Sequence, residues 1–530
     1  MPPSDAPAHL LEPAQRLSRS LIWGLQRAFY AAQGPDAWKP GVVPSYPTNN
    51  PLFARACVRL VIASLRDLAA AGALDRDHPV YVVELAAGSG QFAFLFLKHF
   101  DDLRRAVPEL EGLRLVYVMT DLAESNLLAW AAHDKLAPLL DAGRLDFARF
   151  DFEADEALVL QRSGITLAPG SVRNPLLAVA NYAFDTSRQD GFWIKDGALQ
   201  EARVSAVSSQ ATPDAAAPDV LAHVSLRCEP APCELPYYQD PVLDAILERY
   251  RQKLGDTFFL MPLAAFRASS FLASLAGGKL VLLCADKAYT YEDEWRGRHE
   301  PPLSLHGASF SMQVNVHALG LWFEADGGGA LHHLPRGLNL RVSLLQRGVP
   351  GLQLRETTLA FRDTLGGFAP QDGQLLLKAL AEEHKRPSLD VILALLRLCY
   401  WDPEIVFVYA QPLVDAAKTA TPAQVREVIS AVRKVTNFFY PMSRDLPYEL
   451  GRICMAYKHP KETAALLNES LRLYGPQPAN LMLMGMAAAM LGQNKPALVF
   501  LERSLTLQPD NPSARSLREA LLMRVRAAGG

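Results

Sequence analysis

Apolar and polar residues follow two different periods along the middle of the chain. Short apolar runs within 79–90 (PVYVVELAAGSG, a strand running into a tight turn), 113–122 (LRLVYVMTDL), 145–153 (LDFARFDFE) and 175–185 (PLLAVANYAFD) predict four buried strands. Between them, QFAFLFLKHFDDLRR at 91–105 and SNLLAWAAHDKLAPLL at 125–140 each predict one helix. Alternating strands and helices predict a parallel sheet with helices on both faces. Right-handed crossovers would bring the carboxyl ends of the strands to one edge of that sheet.

Other segments extend this core. Apolar residues four apart within 10–32 predict an amphipathic helix, and 52–72 predicts a second one. The stretch from 191 to 207 predicts an antiparallel hairpin that turns at Asp196-Gly197. A further buried strand is predicted within 277–290 (GGKLVLLCADKAYT), and another antiparallel hairpin around the glycine triplet 327–329.

The strand patterns stop after residue 373, and a repeat appears in the helical remainder. Leu450-Gly451 corresponds to Met484-Gly485, and Ser470-Leu471 corresponds to Ser504-Leu505, each at an offset of 34 residues. This spacing resembles the tetratricopeptide (TPR) repeat, in which a small residue lies where two helices cross. A generic pair of helical hairpins is the alternative, and either arrangement leaves a groove for a partner.

These patterns predict a fold class and a set of boundaries. We expect an α/β protein with a doubly wound, mostly parallel, Rossmann-like sheet of the methyltransferase kind, antiparallel hairpin additions, and a C-terminal all-α TPR-like domain. The expected divisions are an N-terminal helical segment and covering loop at 1–75, a main domain at 76–365 with an inserted hairpin at about 190–260, and a helical domain at 374–530.

Composition narrows the possible partners. The chain has 530 residues, 50% of them hydrophobic and 21% charged, with a formal net charge of -3. This near-neutral balance gives no electrostatic reason to expect nucleic acid or a membrane surface as a partner. The N-terminus lacks the pattern of a signal peptide, no apolar run is long enough to span a bilayer, and the six cysteines are scattered without zinc spacing. We therefore expect a cytoplasmic protein without a metal site.

The segment ELAAGSG at 84–90 predicts a nucleotide site. Gly88 and Gly90 allow a sharp turn and a close ligand, and a helix begins directly after them. A dinucleotide is one possible ligand, because GSGQFA fits G-x-G-x-x-A, but the acid expected about 20 residues further on is missing. Asp121 instead lies 31 residues past Gly90.

S-adenosylmethionine (SAM) is the other possible ligand. Its sulfonium and α-amino groups are cationic and would favour a carboxylate at Glu84, which a pyrophosphate would oppose. Asp121 and Asp151 end the next two predicted strands, where carboxylates can accept hydrogen bonds from ribose hydroxyls and from the adenine amino group. The predicted cofactor-binding residues are Glu84, Ala86, Gly88, Gly90, Asp121, Leu122, Asp151 and Phe152.

The chain also resembles class I SAM-dependent methyltransferases of the MidA type, a family that includes a mitochondrial complex I assembly factor. The resemblance covers roughly residues 20–350 and rests on VELAAGSG (83–90), ANYAFDTSRQDGFWIKDGALQEARV (180–204) and VNVHALG (314–320). Ala86 replaces the first glycine of the family motif, and Tyr182 stands where the family has glutamate. The resemblance implies a protein substrate, with arginine methylation implied for some members.

Candidate catalytic residues follow the fourth predicted strand. Asn181, Tyr182 and Asp185 lie there, and Asp185 is the candidate for a base or for a group that orients the acceptor, although a capping role is an equal alternative. Less specific candidates are a covering loop with Tyr46, Thr48 and Asn49, and two histidines, His306 and His317, for which a structural role is the simpler interpretation.

Three hypotheses remain open at this level. The first is an active SAM-dependent methyltransferase that positions a protein substrate through its TPR-like region. The second is a decayed methyltransferase fold that acts as a TPR scaffold for protein interactions. The third is a nicotinamide-dependent oxidoreductase. The acceptor atom, the partner and the oligomeric state are not specified by the sequence.

Overall fold

The structure is a computed structural model that describes residues 9–39, 42–43, 45–211, 214, 217, 219–299, 303–306, 309–333, 340–383 and 387–528. The chain divides into two compact units, Met1–Pro370 and Gln371–Gly530. The first unit contains the strands and the second consists of helices. None of the described helices combines the length and apolar character needed to cross a membrane.

The first unit contains seventeen described strands and nine described α-helices, which we number in chain order. Its strands are β1 (His9–Arg16), β2 (Val80–Leu85), β3 (Leu115–Asp121), β4 (Leu145–Arg149), β5 (Leu158–Val159), β6 (Thr166–Leu167), β7 (Leu176–Asn181), β8 (Asp190–Lys195), β9 (Ala198–Ser208), β10 (Val224–Pro232), β11 (Thr257–Met261), β12 (Leu280–Tyr289), β13 (Leu303–His306), β14 (Ser309–Met312), β15 (Val314–Asn315), β16 (Gly329–His332) and β17 (Leu340–Arg347). Its helices are α1 (Leu21–Gln33), α2 (Pro51–Ala70), α3 (Gln91–Leu103), α4 (Glu124–Ala131), α5 (Ala137–Asp141), α6 (Pro241–Lys253), α7 (Leu263–Leu275), α8 (Val316–Glu324) and α9 (Arg355–Phe361).

The main sheet has the strand order β16-β17-β12-β7-β2-β3-β4, with β15 paired to β12. The pairs from β4 to β12 are parallel, whereas β17 pairs antiparallel with both β12 and β16. Strands β3 and β4 lie on one side of β2 in the sheet, and the later strands β7 and β12 lie on its other side. This reversal leaves a crevice outside the carboxyl ends of β2 and β7, where doubly wound sheets bind ligands.

The two faces of β2 explain why an acid can lie within a buried strand. Tyr81, Val83 and Leu85 belong to a core cluster that also contains residues of α7. Side chains alternate between the faces of a strand, so Glu84 points to the opposite side. There it accepts a hydrogen bond from Tyr117, whose ring contacts Phe96 of α3 at a centroid distance of 5.0 Å.

A second sheet is antiparallel, with the order β1-β9-β8-β11 and β10 paired to β9. The predicted hairpin of β8 and β9 is confirmed. Its turn residues Asp196 and Gly197 both have positive φ values, 50° and 74°. That combination matches the twist of the flanking strands and is favoured by an Asp-Gly pair.

The N-terminal prediction was wrong in part. Residues 9–16 form β1, which pairs with β9, and the helix begins only at Leu21, after Ser20 caps it by accepting from the backbone N–H of Ile22. The helical spacing of the apolar residues does continue through Phe29, which is buried in α1. Pairing with residues that lie between 187 positions (Arg16 with Arg203) and 199 positions (His9 with Ser208) further along the chain overrides the local pattern.

The hairpin predicted around the glycine triplet 327–329 was also wrong. Residues 316–324 form α8, which begins after Asn315 accepts a hydrogen bond from the backbone N–H of Ala318. The apolar residues Val316, Leu319 and Phe323 of α8 are buried, which is the helical rather than the strand period. The glycines lead instead into β16, which pairs with β17.

The C-terminal helices are α10 (Pro370–Glu383), α11 (Leu389–Leu398), α12 (Pro403–Ala416), α13 (Pro422–Asn437), α14 (Leu446–Ala456), α15 (Pro460–Tyr474), α16 (Pro478–Met490), α17 (Asn494–Leu507) and α18 (Pro512–Ala528). Gly451 and Gly485, 34 residues apart, lie in α14 and α16. An added Cβ would come within 3.0 Å of Leu467 at Gly451 and within 2.8 Å of Leu501 at Gly485. The helices of each pair therefore approach closely at the same repeated position.

Candidate functional site

A cavity of about 290 Å³ opens at the carboxyl ends of the central parallel strands. Its size is close to the lower end of the range for small-molecule sites. The structure brings ten of the predicted site residues to its wall: Glu84, Ala86, Gly88, Asp121, Leu122, Asp151, Phe152, Asn181, Tyr182 and Asp185. Thr48 and Asn49 of the predicted covering loop also line it.

The glycine turn after β2 forms the floor of one end. Gly88 has a φ of +55°, and its backbone N–H donates to Oδ2 of Asp121 over 3.0 Å. Its carbonyl accepts from the indole N–H of Trp130 over 2.9 Å. An added Cβ at Gly88 would lie 2.6 Å from the ring of Trp38, so only glycine fits between this turn and the indole.

The residues on either side of Gly88 differ in their roles. Ala86 has a φ of +52°, a left-handed conformation that is strained for any residue with a Cβ. It lines the cavity at the place where the resembling family has glycine. Gly90 does not line the cavity: it is the N-cap of α3, has a φ of +77°, and donates its backbone N–H to the carbonyl of Ala87.

Asp121 at the end of β3 fixes the turn. Its Oδ1 accepts from the backbone N–H of Ala123 over 3.0 Å, while its Oδ2 holds Gly88. Burial raises the pKa of Asp121, and these backbone donors oppose that shift. The half-buried carboxyl group of Asp121 therefore lines the cavity as an acceptor that backbone groups help to orient.

Glu84 is the most deeply buried acid of this end, with 2% of its surface exposed. Its Oε2 accepts from the hydroxyl of Tyr117 over 3.0 Å. Desolvation raises the pKa of Glu84 to about 8, although the hydrogen bond from Tyr117 lowers it. The side chain is consequently protonated at neutral pH unless a cation comes close to it.

Asp151 and Phe152 follow β4 and lie beside an ion-pair network. Asp151 hydrogen-bonds Arg27 of α1, and Arg27 also donates to Glu153 over 2.9 Å. Glu153 in turn bonds Arg188. The ring of Phe152 meets Phe184 edge to face at 6.0 Å. The acid predicted to bind adenine is therefore already paired with an arginine, while Phe152 supplies an apolar wall.

The opposite end of the cavity begins where β7 stops. Asn181 lines the cavity, and neither atom of its amide has a hydrogen-bond partner among the described residues. Tyr182 has a φ of +50°, a rare conformation for an aromatic residue, and its backbone N–H donates to Ala285. Strain of this kind concentrates at functional sites, where the surrounding structure holds it in place.

Asp185 is 2% exposed and has two charged neighbours on β12 that the sequence analysis missed. Asp286 is fully buried and accepts a hydrogen bond from the backbone N–H of Phe184, the residue before Asp185, over 2.9 Å. Lys287 lines the cavity and donates to Ser311 over 2.9 Å. Two charged residues at the end of a buried strand were the available signal, since β12 was predicted as a strand.

Aromatic residues from the N-terminal part complete the wall and were also missed. Tyr30 of α1 and Trp38 stack at 6.2 Å, and both line the cavity. The indole N–H of Trp38 is buried without a partner among the described residues. Burial and the nearby Asp185 raise the pKa of Tyr30. No local motif marks these two residues, because α1 reaches the cavity through tertiary packing.

Other candidates lie elsewhere. Tyr46 is not part of the cavity wall, and neither is His317, which hydrogen-bonds the hydroxyl of Tyr250 over 2.7 Å and stacks on its ring. Burial lowers the pKa of His317 to about 4, as expected for a neutral structural histidine. The side chain of His306 lies outside the described residues, as does Pro44 of the predicted covering loop.

The fold and the cavity together define a class: a doubly wound α/β protein with a small-molecule site at its topological switch point. One end of that site has a glycine turn, the buried Glu84, two half-buried aspartates and aromatic rings. The other end has Asp185, a lysine and the amide of Asn181, which has no hydrogen-bond partner among the described residues. Such a site can hold a cationic nucleoside ligand at one end and orient a second reactant at the other.

Comparison with known proteins yields structural neighbours only. No protein-family model matches the chain, and no curated protein is similar enough to count as a match. A crystal structure of an uncharacterized superfamily protein from Burkholderia thailandensis is 16% identical, with a TM-score of 0.38, and the match covers 64% of this chain and 89% of that one.

A second neighbour belongs to the same superfamily and comes from the same organism. It is described as a candidate methyl transferase bound to S-adenosyl-homocysteine. It is also 16% identical, with a TM-score of 0.40, and the match covers 66% of this chain and 90% of that one. At this level of similarity the function has to be inferred from the residues of this chain.

Proposed function

We propose that the chain is a SAM-dependent methyltransferase. The observation that carries the proposal is Glu84, a carboxyl group only 2% exposed at the glycine turn, on a strand whose end opens into the cavity. Burial keeps this carboxyl group protonated in the free protein, and a sulfonium or ammonium group beside it would stabilise the ionised form. The site is thus suited to a positively charged ligand.

The residues present fit the adenosyl part of this ligand as well. Gly88 has no Cβ, so its backbone at the cavity wall can be approached closely, as the ring of Trp38 does. Asp121 offers carboxylate oxygens to hydroxyl donors, and Phe152 offers an apolar wall beside it. We propose that Glu84, Ala86, Gly88, Gly90, Asp121, Leu122, Asp151 and Phe152 form the cofactor-binding end, with Gly90 acting through the turn.

The same turn is unfavourable for a dinucleotide. A pyrophosphate needs free backbone N–H groups at the start of the helix. The N–H of Gly88 already donates to Asp121, and the carboxylate of Asp121 would repel a phosphate. These contacts favour SAM over a nicotinamide cofactor.

The chain's own groups would act on the acceptor at the other end. SAM supplies an electrophilic methyl group and leaves as a neutral thioether. Asn181 and Tyr182 would orient the acceptor, and Asp185 would take the proton that a nitrogen acceptor loses. The close fit of Tyr30 and Trp38 around the cavity would exclude water.

We further propose that the acceptor belongs to a protein and that the helical unit, with its TPR-like repeat, binds that protein. The support is the repeated close crossing at Gly451 and Gly485. Repeated helical pairs of this kind present extended surfaces to partners. The alternative is a scaffold in which the helical unit binds partners and the cavity no longer performs methyl transfer.

Calorimetry tests the cofactor assignment. SAM, S-adenosyl-homocysteine and NAD should be titrated in parallel into the full chain and into Asp121→Ala. Loss of two hydrogen bonds to a charged group predicts an affinity for SAM at least about 100-fold weaker in this variant. Asp141→Ala, which changes an exposed acid on α5, is the control and should bind as the parent does. Tight NAD binding, or equal SAM binding by Asp121→Ala, would contradict the assignment.

A turnover assay separates the enzyme from the scaffold. Transfer of labelled methyl groups from SAM to proteins of a cell extract should depend on Asp185. Asp185→Asn should bind SAM with unchanged affinity but lose activity by about 100-fold or more, the usual contribution of a general base. SAM binding without any transfer would favour the scaffold.

A further inference from the structure

The end of β7 brings a side-chain amide to the cavity without a hydrogen-bond partner. Asn181 is the last residue of β7, lines the cavity, and is held in the sheet opposite Ala285 of β12. Both polar atoms of its amide are buried, and neither has a partner among the described residues. The amide oxygen accepts and the amide nitrogen donates, so Asn181 offers an acceptor and a donor side by side in one plane. Buried polar groups are nearly always hydrogen-bonded, so both atoms are suited to a ligand.

A second group of this kind lies four residues further along the chain. Asp185 lines the same cavity, and its Oδ1 is buried without a hydrogen-bond partner in the described part of the chain. The backbone carbonyl of Asp185 accepts from the N–H of Met312 over 2.8 Å, which holds this segment against β14. An ionised carboxylate only accepts hydrogen bonds. Asn181 and Asp185 together therefore present two acceptors and one donor to a reactant in the cavity.

Few chemical groups satisfy this set at once. A guanidinium or ammonium group has only donors, so it would leave the amide nitrogen of Asn181 facing another donor. A carboxylate has only acceptors and would meet the two acceptors of the site. A primary carboxamide has one oxygen that accepts and two N–H groups that donate. Its oxygen and one N–H match the amide of Asn181, and its second N–H matches Asp185.

We propose that the methyl acceptor is the side-chain carboxamide of an asparagine or glutamine in a protein, and that Asn181 and Asp185 recognise it. This substrate class rests on the proposed methyltransferase function and differs from the arginine that the family resemblance implies for some members. Exocyclic amines of nucleobases also have a donor beside an acceptor. The formal net charge of -3, however, gives this chain no overall attraction for the phosphates of nucleic acid.

The same two residues suit the chemistry of a carboxamide nitrogen. This nitrogen is a poor nucleophile because its lone pair is delocalised into the neighbouring carbonyl. A hydrogen bond from its N–H to Asp185 increases the electron density on nitrogen. As nitrogen bonds to the methyl carbon, the bond from that carbon to sulfur breaks and its electron pair stays on sulfur. Asp185 takes one proton from nitrogen and releases it to solvent when the N-methyl carboxamide leaves.

Acid hydrolysis of the labelled product identifies the methylated group. Proteins of a cell extract are labelled by the full chain with tritiated SAM and then hydrolysed in strong acid. An N-methyl carboxamide releases its label as methylamine, whereas methylated arginine and lysine stay in the amino-acid fraction. We expect the label in methylamine, and at least about tenfold less of it from Asn181→Asp, which keeps the size of the side chain but lacks the donor. Asp141→Ala, at an exposed acid of α5, is the control and should label as the parent does.

Peptide binding tests the same preference without transfer. Ligand-observed NMR compares the N-acetyl methylamides of glutamine, asparagine, glutamate and arginine, with and without S-adenosyl-homocysteine. These four probes share their backbone amides, so differences between them report the side chain alone. We expect a carboxamide probe to bind at least about tenfold more tightly than the glutamate and arginine probes, and to lose this advantage in Asn181→Asp.

The outcomes separate this inference from the proposed function. Label in methylarginine, label in the nucleic acid of the extract, or the absence of a preference for carboxamide probes would overturn the inference and leave the methyltransferase assignment standing. Failure of the parent chain to bind S-adenosyl-homocysteine would instead overturn the proposed function. The peptide preference measured without that ligand would then still decide whether Asn181 and Asp185 recognise a carboxamide.

Discussion

Binding of a cationic ligand at Glu84 should release a proton. Glu84 is buried at the glycine turn, and its pKa is raised to about 8 by desolvation. A sulfonium or ammonium group nearby would favour the ionised form and lower that pKa. We therefore expect SAM binding to expel the proton that Glu84 holds in the free protein.

The size of the effect follows from the pKa. A group with a pKa of about 8 is roughly 90% protonated at pH 7, so full ionisation on binding releases about 0.9 proton per site. Because binding then requires deprotonation, the affinity for SAM should rise by nearly tenfold per pH unit up to about pH 8. Measurements are best kept at pH 6–7.5, because a free α-amino group titrates near 8.

Calorimetry in two buffers measures the released proton directly. The observed binding enthalpy in phosphate and in Tris at pH 7 differs by the number of protons released multiplied by the difference in buffer ionisation enthalpy. The parent chain should give about 0.9 proton, and Glu84→Gln should give a value near zero with weaker binding. Equal enthalpies in the two buffers for the parent chain would refute the reasoning, as would a release that persists in Glu84→Gln.

Glu84→Gln should weaken SAM binding but increase the stability of the folded protein at high pH. The folded protein keeps the proton of Glu84 up to about pH 8, while the unfolded chain loses it above about pH 4.5, so stability falls as the pH rises between these values. The full shift corresponds to about 5 kcal/mol as an upper bound. Glu84→Gln should therefore raise the unfolding temperature at pH 8 and leave it nearly unchanged at pH 4.5. A variant that is less stable at pH 8 would contradict this account.

Two further predictions concern single small residues. Ala86→Gly should stabilise the first unit by about 0.5–1 kcal/mol, because it relieves a positive φ. Ala87→Gly is the control and should destabilise the unit by a similar amount. Thermal unfolding distinguishes the two variants, and equal effects would contradict the strain at Ala86. Gly485→Ala should destabilise the helical unit by about 1–3 kcal/mol, because the new Cβ would meet Leu501 at 2.8 Å. Gly24→Ala, in the exposed part of α1, would meet no atom within 4 Å and should stabilise slightly. Thermal melts followed by circular dichroism test both variants, and a stabilised Gly485→Ala would show that the helices can separate without cost.

Features written in short stretches of sequence could be predicted. The turn at Asp196-Gly197 and the acids Asp121 and Asp151 after consecutive strands depend on local chemistry and on the handedness of crossovers. Once the strands are recognised, the parallel order places their ends at one edge. The cavity wall accordingly contains ten of the predicted site residues.

Features set by distant packing could not be predicted. β1 was interpreted as helix because its partners in β9 lie between 187 and 199 residues further along the chain. Arg27, which forms an ion pair with Asp151, belongs to helix α1 and lies 124 residues earlier in the chain. Asp286 was overlooked although it lies within a predicted strand, because the antiparallel hairpin and helices between β7 and β12 hide the fact that β12 returns beside β7. Knowing that each strand exists was not enough without knowing its neighbour.

Glu84, which the sequence predicted, and Asp286, which only the structure revealed, are subject to the same physical constraint, namely burial. Glu84 and Asp286 are both almost completely buried, and both have a raised pKa because no charged partner offsets their desolvation fully. In each case the protein avoids a buried negative charge by retaining a proton. A ligand that brings positive charge to Glu84 would remove the need for that proton, whereas Asp286 does not line the cavity and would keep its own. We therefore expect the cavity to respond to the charge of its ligand through Glu84.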